Sequence, residues 1–487
     1  MKRPFFLGID IGTQGARVAL MDAAGDIIGS EEEKFPLNDK AREEQSPQGW
    51  WDACLASLKK MLAGSGGLIE PDSIRAVAVT STSGTVIPLD VNYRPLHDAI
   101  MYSDKRSDKE AEKCKAAALK YHPNGYTNFN TSSGLSKMVW FVEHFPDKAK
   151  KVARWIHAAD YITGRLSGIW DMTDYTNALK SGFDLVTFTW PAYIYEVLPL
   201  REEWLQQVVP SGSPIGMMKP ELVRSLGLEG EIHVVAGITD GCASQIASGA
   251  IGVGEWNTTI GTTLVIKGVT REEIRDPLGR LYSHRHPDAG GNEETGWMPG
   301  GASNTGGDWI AGAFSDKLES LNQEALQLIP TGRLSWPLLQ QGERFPFMAP
   351  QARGFEPFGL SLAEHYTANM EGVAYIERMA YDLVRNLSGE KITGVYTAGG
   401  GANSEPWLII RSNVLNLPLY KMKHVAGAVG AAILAASKTH FGSVGDAVRA
   451  LTQIDKIIRP DGDMARRYDS HYHRFVSILH EKGYLPD

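Results

Sequence analysis

Cysteine is scarce in this chain. Its 487 residues hold three, Cys54, Cys114 and Cys242, far apart and without a C-x-x-C pair. That excludes a disulfide framework or a cysteine-built zinc site and fits a reducing compartment. Positive charge is not in excess: 49 Lys and Arg stand against 57 Asp and Glu, a formal charge of -8. No basic field is available to hold nucleic acid. Long apolar runs are missing as well. Residues 5–9 follow a Met-Lys-Arg start but are cut off by Asp10, too early for the apolar core of a secretion signal. Residues 425–436 are rich in Gly and Ala and too few to span a bilayer. A cytoplasmic protein with no membrane partner is expected. None of the thirteen histidines forms an H-x-x-x-H pair with carboxylates at suitable spacing, so transition-metal catalysis has no support. There is no G-x-S-x-G elbow, no Gly-Lys-Ser/Thr phosphate loop and no G-x-G-x-x-G fingerprint. Repeats of 20 to 50 residues are absent, which removes solenoids and propellers.

What is present is a globular composition, 43% hydrophobic and 22% charged, on a chain long enough for two large domains. Strand-like and helix-like segments alternate, which predicts an α/β protein. Residues 5–10 read as a strand, followed by a glycine turn, a second strand over 16–22 and a third from Asp26. Ser46-Pro47 starts a helix, with Trp51, Leu55, Leu58 and Leu62 at helical spacing. Residues 74–80 form an apolar strand running into Ser81-Thr82-Ser83-Gly84. The pattern restarts near residue 240: an apolar strand over 233–238 ends at Thr239-Asp240-Gly241, then come a small-residue helix and a hairpin with its tip at Ile260-Gly261-Thr262-Thr263. Each half thus holds a hairpin with a Gly-Thr tip and an Asp at the end of a nearby buried strand. Two domains of related topology facing one cleft follow, with a boundary near residues 241–254. Further on, an amphipathic helix spans 368–387. A short strand at 395–396 feeds Gly399-Gly400-Gly401, and Asn403 or Ser404 caps a helix through Val414. Residues 425–436 form a small-residue helix that packs closely.

Several of these positions have the chemistry of phosphoryl transfer, each beside a plainer use. In Asp10-Ile11-Gly12-Thr13-Gln14-Gly15 the glycines let successive N–H groups converge on an anion. Thr13 adds a donor, and Asp10 can hold Mg²⁺ through water. An ordinary hairpin turn accounts for the same residues. Gly261-Thr262-Thr263 repeats the pattern and the ambiguity. Three glycines at a strand-to-helix junction, Gly399 to Gly401, let a flat ring approach the backbone, or form a flexible loop. Asp240, at a helix start that favours its ionised form, is placed to accept a hydroxyl proton; a helix cap is the commoner use of such a residue. Asp104 and Arg106 can bind a polyol or simply pair with each other on the surface.

Taken together and in this order, the segments resemble the FGGY family of carbohydrate kinases, within the actin-like and Hsp70-like ATPase superfamily. Leu7-Gly8-Ile9-Asp10-Ile11-Gly12-Thr13-Gln14-Gly15-Ala16-Arg17 resembles its first phosphate motif, and Gly237-Ile238-Thr239-Asp240-Gly241-Cys242-Ala243 its catalytic-aspartate segment. Thr259-Ile260-Gly261-Thr262-Thr263 is similar to the second phosphate motif, and Thr397-Ala398-Gly399-Gly400-Gly401-Ala402-Asn403-Ser404 to the adenosine motif. The resemblance covers nearly the whole chain. It implies an α/β fold of two RNase H-like, actin-like ATPase domains with a nucleotide cleft between them, spanning 1–246 and 247–487. It also implies ATP and Mg²⁺, with transfer to a sugar hydroxyl. Asp10, Gly12, Thr13, Gln14, Arg17, Gly261, Thr262, Thr263, Gly400, Gly401 and Asn403 are then the ATP and phosphate residues. Asp240 is the base, and Asp10 and Asp240 hold Mg²⁺ through water. Thr82, Ser83, Asp104 and Asp240 meet the sugar. Xylulokinases carry Gln-Met-His-Gly where this chain has Thr80-Ser81-Thr82-Ser83-Gly84-Thr85. With Asp174-Tyr175-Thr176-Asn177, that segment looks more like the plant and cyanobacterial D-ribulokinase branch. The expected substrate is D-ribulose, with D-xylulose or another ketose or polyol second. An actin- or Hsp70-like ATPase without sugar kinase activity is the alternative of a different class. The partners are then a small sugar and ATP, and a homodimer is the one assembly left open.

Overall fold

Phe5–Ile11 is buried at every position, the pattern of a central strand covered on both faces. The computed structural model describes residues 3–65, 67–289 and 296–485. The chain divides into two units. One comprises Met1–Ala247 with Val425–Thr452, the other Ser248–His424 with Gln453–Asp487.

In the first unit the central strand pairs antiparallel with Gly15–Asp22, which pairs antiparallel with Ile27–Lys34. On its other side it pairs parallel with Ile74–Ser81, and that strand pairs parallel with His233–Val235 and with Ile238–Thr239. Pro214–Met217 closes the edge antiparallel. The run over 233–238 is therefore not one strand as the apolar pattern suggested. It breaks at Ala236-Gly237, where a Cβ on Gly237 would sit 2.2 Å from the Val79 carbonyl oxygen. The close approach needs the glycine and interrupts the ladder.

The helix Gly427–Ser437, buried at all but its first residue, returns to this unit and lies on the central strand. A Cβ on Gly8 would come 1.8 Å from the Ala428 carbonyl oxygen, and one on Gly430 would come 2.0 Å from that of Ala243. Small residues on both partners allow this backbone-to-backbone contact. The sequence expectation had run the second domain unbroken to residue 487. A second, antiparallel sheet of Glu44–Gln45, Ala99–Ile100, Val86–Leu89 and Arg154–His157 extends the unit. Helices at Asp108–Tyr121 and Gly134–His144 share a separate apolar core with it.

The second unit repeats the arrangement. Glu255–Ile260 pairs antiparallel with Leu264–Gly268, which pairs antiparallel with Trp297–Ser303. It pairs parallel with Gly394–Ala398, and that strand pairs parallel with Leu419–Met422. Strand order and direction around the central strand match those of the first unit. The helix Leu362–Ser388 starts earlier than the apolar spacing suggested, because Ser361 and Glu364 form a capping box. On it, fully buried Glu377 takes a two-pronged ion pair from fully buried Arg411, at 2.7 and 2.8 Å. Arg411 also donates to Thr397 Oγ1 at 2.6 Å, so the buried charges are paired and hydrogen-bonded, as burial requires. Among the described residues, no helix is long and apolar enough to cross a membrane.

Candidate active site

In an open sheet, ligands gather beyond the carboxyl ends of the parallel strands, where side chains can point away from the core. In the first unit three such ends lie side by side. Asp10 pairs with Thr80 and Ile11 with Ser81, while Ile238 pairs with Thr80 and Thr239 with Ser81. The residues that follow are the tip Gly12–Gly15, Thr82-Ser83 and Asp240. Sequence separation of up to 230 residues is thus cancelled by strand register.

At the tip, the Gly12 N–H donates to the Gly15 carbonyl at 3.0 Å. Gln45 Nε2 holds the Thr13 carbonyl, also at 3.0 Å. The amides of Thr13 and Gln14 have no partner among the described residues, so they are available to an anion. Asp10 is buried. Burial first, and the charge of Asp240 second, push its carboxyl up to about 6, against the pull of Arg17. Arg17 reaches Asp10 Oδ2 at 3.9 Å and Glu32 at 3.0 Å. The first turn of the Gly427–Ser437 helix adjoins the same carboxylate: a Cβ on Gly427 would be 2.7 Å from Asp10 Oδ2. A positive helix end there favours the anion.

Asp240 is exposed and opens the helix Asp240–Ser248, accepting from the Gly241 N–H at 2.7 Å. Its position is set from behind. Thr80 Oγ1 donates to the Ile238 carbonyl at 2.7 Å, and the Thr239 N–H donates to Thr176 Oγ1 at 2.9 Å.

The sugar-side expectations fall on the neighbouring loops. Thr82 Oγ1 is 3.4 Å from Thr85 Oγ1, which accepts from the Tyr102 N–H at 3.1 Å. Thr82 and Ser83 are half-buried and directly follow Ser81, which pairs with Thr239. Asp104 differs. Its carboxylate accepts from Arg106 Nε at 3.0 Å, from Nη2 at 2.7 Å and from the Arg106 N–H at 2.9 Å, and it is 1% exposed. The ion pair occupies it, leaving little of it for a polyol. Sequence reasoning passed over Lys137, which is fully buried and donates to the Thr131 carbonyl. Burial pulls its amine down to about 7 against the pull of Asp104. A lone lysine between Leu135 and Met138 was the signal.

In the second unit the equivalent strand ends carry Gly261–Thr263 and Gly399–Asn403. Gly261 donates to the Thr263 carbonyl at 3.0 Å, while the amides of Thr262 and Thr263 have no partner among the described residues. Gly399, at φ +82°, and Gly401 pack directly on Ile260, where added Cβ atoms would come within 2.4 and 2.9 Å. Gly400 faces open space and Asn403 is exposed. Ser404, not Asn403, caps the next helix, accepting from Trp407 N at 3.4 Å. The result is a flat glycine shelf next to a turn with free amides, a shape that suits an aromatic ring and a phosphate chain.

The N-terminal domain model of the FGGY family of carbohydrate kinases matches residues 5–247, and its C-terminal domain model matches 257–439. A xylulose kinase of Staphylococcus epidermidis is 25% identical, over 100% of this chain and 98% of that protein. A gluconokinase of Bacillus subtilis is 26% identical, over 97% and 95%. The crystal structure of a xylulose kinase from Brucella ovis superposes with a TM-score of 0.86 at 22% identity, covering 98% of this chain and 99% of that one. The two units accordingly have the actin-like ATPase fold. Both halves are matched by their own domain models, and each carries a glycine tip at equivalent strand ends. The chain therefore belongs to the FGGY family of carbohydrate kinases, enzymes that phosphorylate sugars.

Proposed function

We propose that this kinase transfers the γ-phosphoryl group of ATP to a terminal hydroxyl of a ketopentose, D-ribulose in preference to D-xylulose. The observation that carries the reading is the pairing of exposed Asp240 with buried Asp10 across adjoining strand ends, close enough for one charge to raise the pKa of the other. Asp240 accepts the proton of the attacking hydroxyl. Arg17 and the amides of Thr13 and Gln14 face the phosphate side. In the second unit, Thr262, Thr263, Gly400, Gly401 and Asn403 are the nucleotide-binding residues of this reading.

Among the described residues no group of three or more His, Cys, Asp or Glu could hold a metal ion. Two charge-coupled carboxylates do suit Mg²⁺, which keeps waters and phosphate oxygens in its shell. Asp10 and Asp240 would hold it through water, and when bound it offsets negative charge on the phosphate oxygens. The ribulose preference rests on the Ser81–Thr85 loop, whose hydroxyl side chains replace the Met-His pair of typical xylulokinases.

A coupled assay of ADP formation over D-ribulose, D-xylulose, D-gluconate and glycerol tests the reading. D-ribulose is expected to give the highest kcat/KM, by about tenfold or more, since a site built to hydrogen-bond a hydroxyl rejects a misplaced one strongly. A higher value for gluconate would replace the ketopentose by a sugar acid. Indifference to every sugar would favour an ATPase that works by binding protein.

A further inference from the structure

Thr176 sits in the short helix Tyr175–Ala178, fully buried, more than 60 residues before Asp240. Its hydroxyl is committed in both directions. It donates to Asp174 Oδ1 at 2.5 Å and accepts from the Thr239 N–H at 2.9 Å. Asp174 in turn is fixed by the amides of Thr176 and Asn177, by Asn177 Nδ2 at 2.5 Å and by Ser211 Oγ at 3.1 Å. The Thr239 amide can only donate, so the Thr176 oxygen must accept there. The Thr176 proton therefore points to Asp174, and a lone pair points to Thr239. On the other side of the same segment, Thr80 Oγ1 holds the Ile238 carbonyl. The strand there is only two residues long, Ile238–Thr239, following the break at Gly237. With so little ladder, the peptide leading into Asp240 depends on these side-chain bonds for its placement.

We propose that Thr176, oriented by Asp174, is a positioning residue for Asp240, fixing the carboxylate by holding the amide of the residue before it. The proposal rests on the reading of Asp240 as the base. Misplacement of a reacting group by about 1 Å costs on the order of 100-fold in rate. Thr176→Val keeps the shape and removes the acceptor. Thr176→Ser keeps the hydroxyl and drops the methyl group.

The test is steady-state kinetics on both variants beside Asp240→Asn. Thr176→Val should lower kcat by about 10- to 100-fold with KM for sugar and ATP unchanged, and Thr176→Ser should restore kcat to the wild-type level. Should Thr176→Val not fold, Thr176→Ala is read in its place with the same expected split. Wild-type kcat in the valine variant would overturn the proposal, as would an equal loss in the serine variant. Failure of both the valine and alanine variants to fold would assign the hydroxyl to stability and overturn it too. If Asp240→Asn itself were fully active, the reading of the base would fall instead, so the two failures are distinguishable.

Discussion

Asp240→Asn is expected to lower kcat for sugar phosphorylation by about 10²–10⁴-fold, the range for removal of a positioned general base. Asparagine keeps the shape and the acceptor for the Gly241 N–H but has no basic site for the hydroxyl proton. The side chain is exposed and the preceding peptide is held by Thr176 and Thr80, so the fold should be undisturbed. Asp240 is also the second-largest influence on the pKa of Asp10. Removing its charge should therefore lower the Asp10 pKa and leave that residue ionised at neutral pH. A variant with near wild-type turnover would remove Asp240 from the chemistry.

Asp10→Asn should separate stability from activity. The Asp10 carboxyl has a pKa of about 6 in the folded chain against 3.8 for an ordinary aspartate, chiefly through burial and then through Asp240. Between those values the folded state binds more protons than the unfolded one, so stability falls as pH rises from about 4 to about 6 and levels off above. About two pKa units at ~1.4 kcal/mol each amount to a cost on the order of 3 kcal/mol at neutral pH in the ligand-free protein. Asparagine carries no charge to bury. Its Tm at pH 7.5, in EDTA and without nucleotide, should exceed that of wild type by roughly 5 °C, and the acid-side slope should flatten. Activity should fall at least ~100-fold, because a carboxylate that can hold the metal through water is gone. A lower Tm with the pH slope intact would show that the carboxylate is not strained by its surroundings.

Some parts of the site are legible in sequence and others are not. The tip at Gly12–Gly15 can be read because its determinants are local: an apolar strand, glycines at a turn, a second strand. The tip at Gly261–Thr263 and the glycine shelf at Gly399–Gly401 are local for the same reason. What makes them neighbours is strand register, Thr259 beside Ala398, which no window of sequence contains. The return of Gly427–Ser437 to the first unit is written in small residues at Gly8, Ala428 and Gly430. Each of those is unremarkable alone, and only the contact shows why none carries a larger side chain. The strand over 233–238 misled because apolar composition does not record the close approach of Gly237 to Val79. Asp104 and Arg106 were seen as either polyol ligands or an ion pair, and geometry shows the ion pair. Thr176 and Lys137 went unassigned because a buried hydroxyl or amine declares its role only through partners distant in sequence.

The most direct measurement is a crystal structure of the protein with Mg²⁺, a non-hydrolysable ATP analogue and D-ribulose. The expected result has an Asp240 carboxylate oxygen about 2.6–3.2 Å from the sugar's terminal hydroxyl, with Asp10 facing the same terminal phosphate. A sugar bound beyond the reach of Asp240, or a terminal phosphate distant from Asp10, would contradict it.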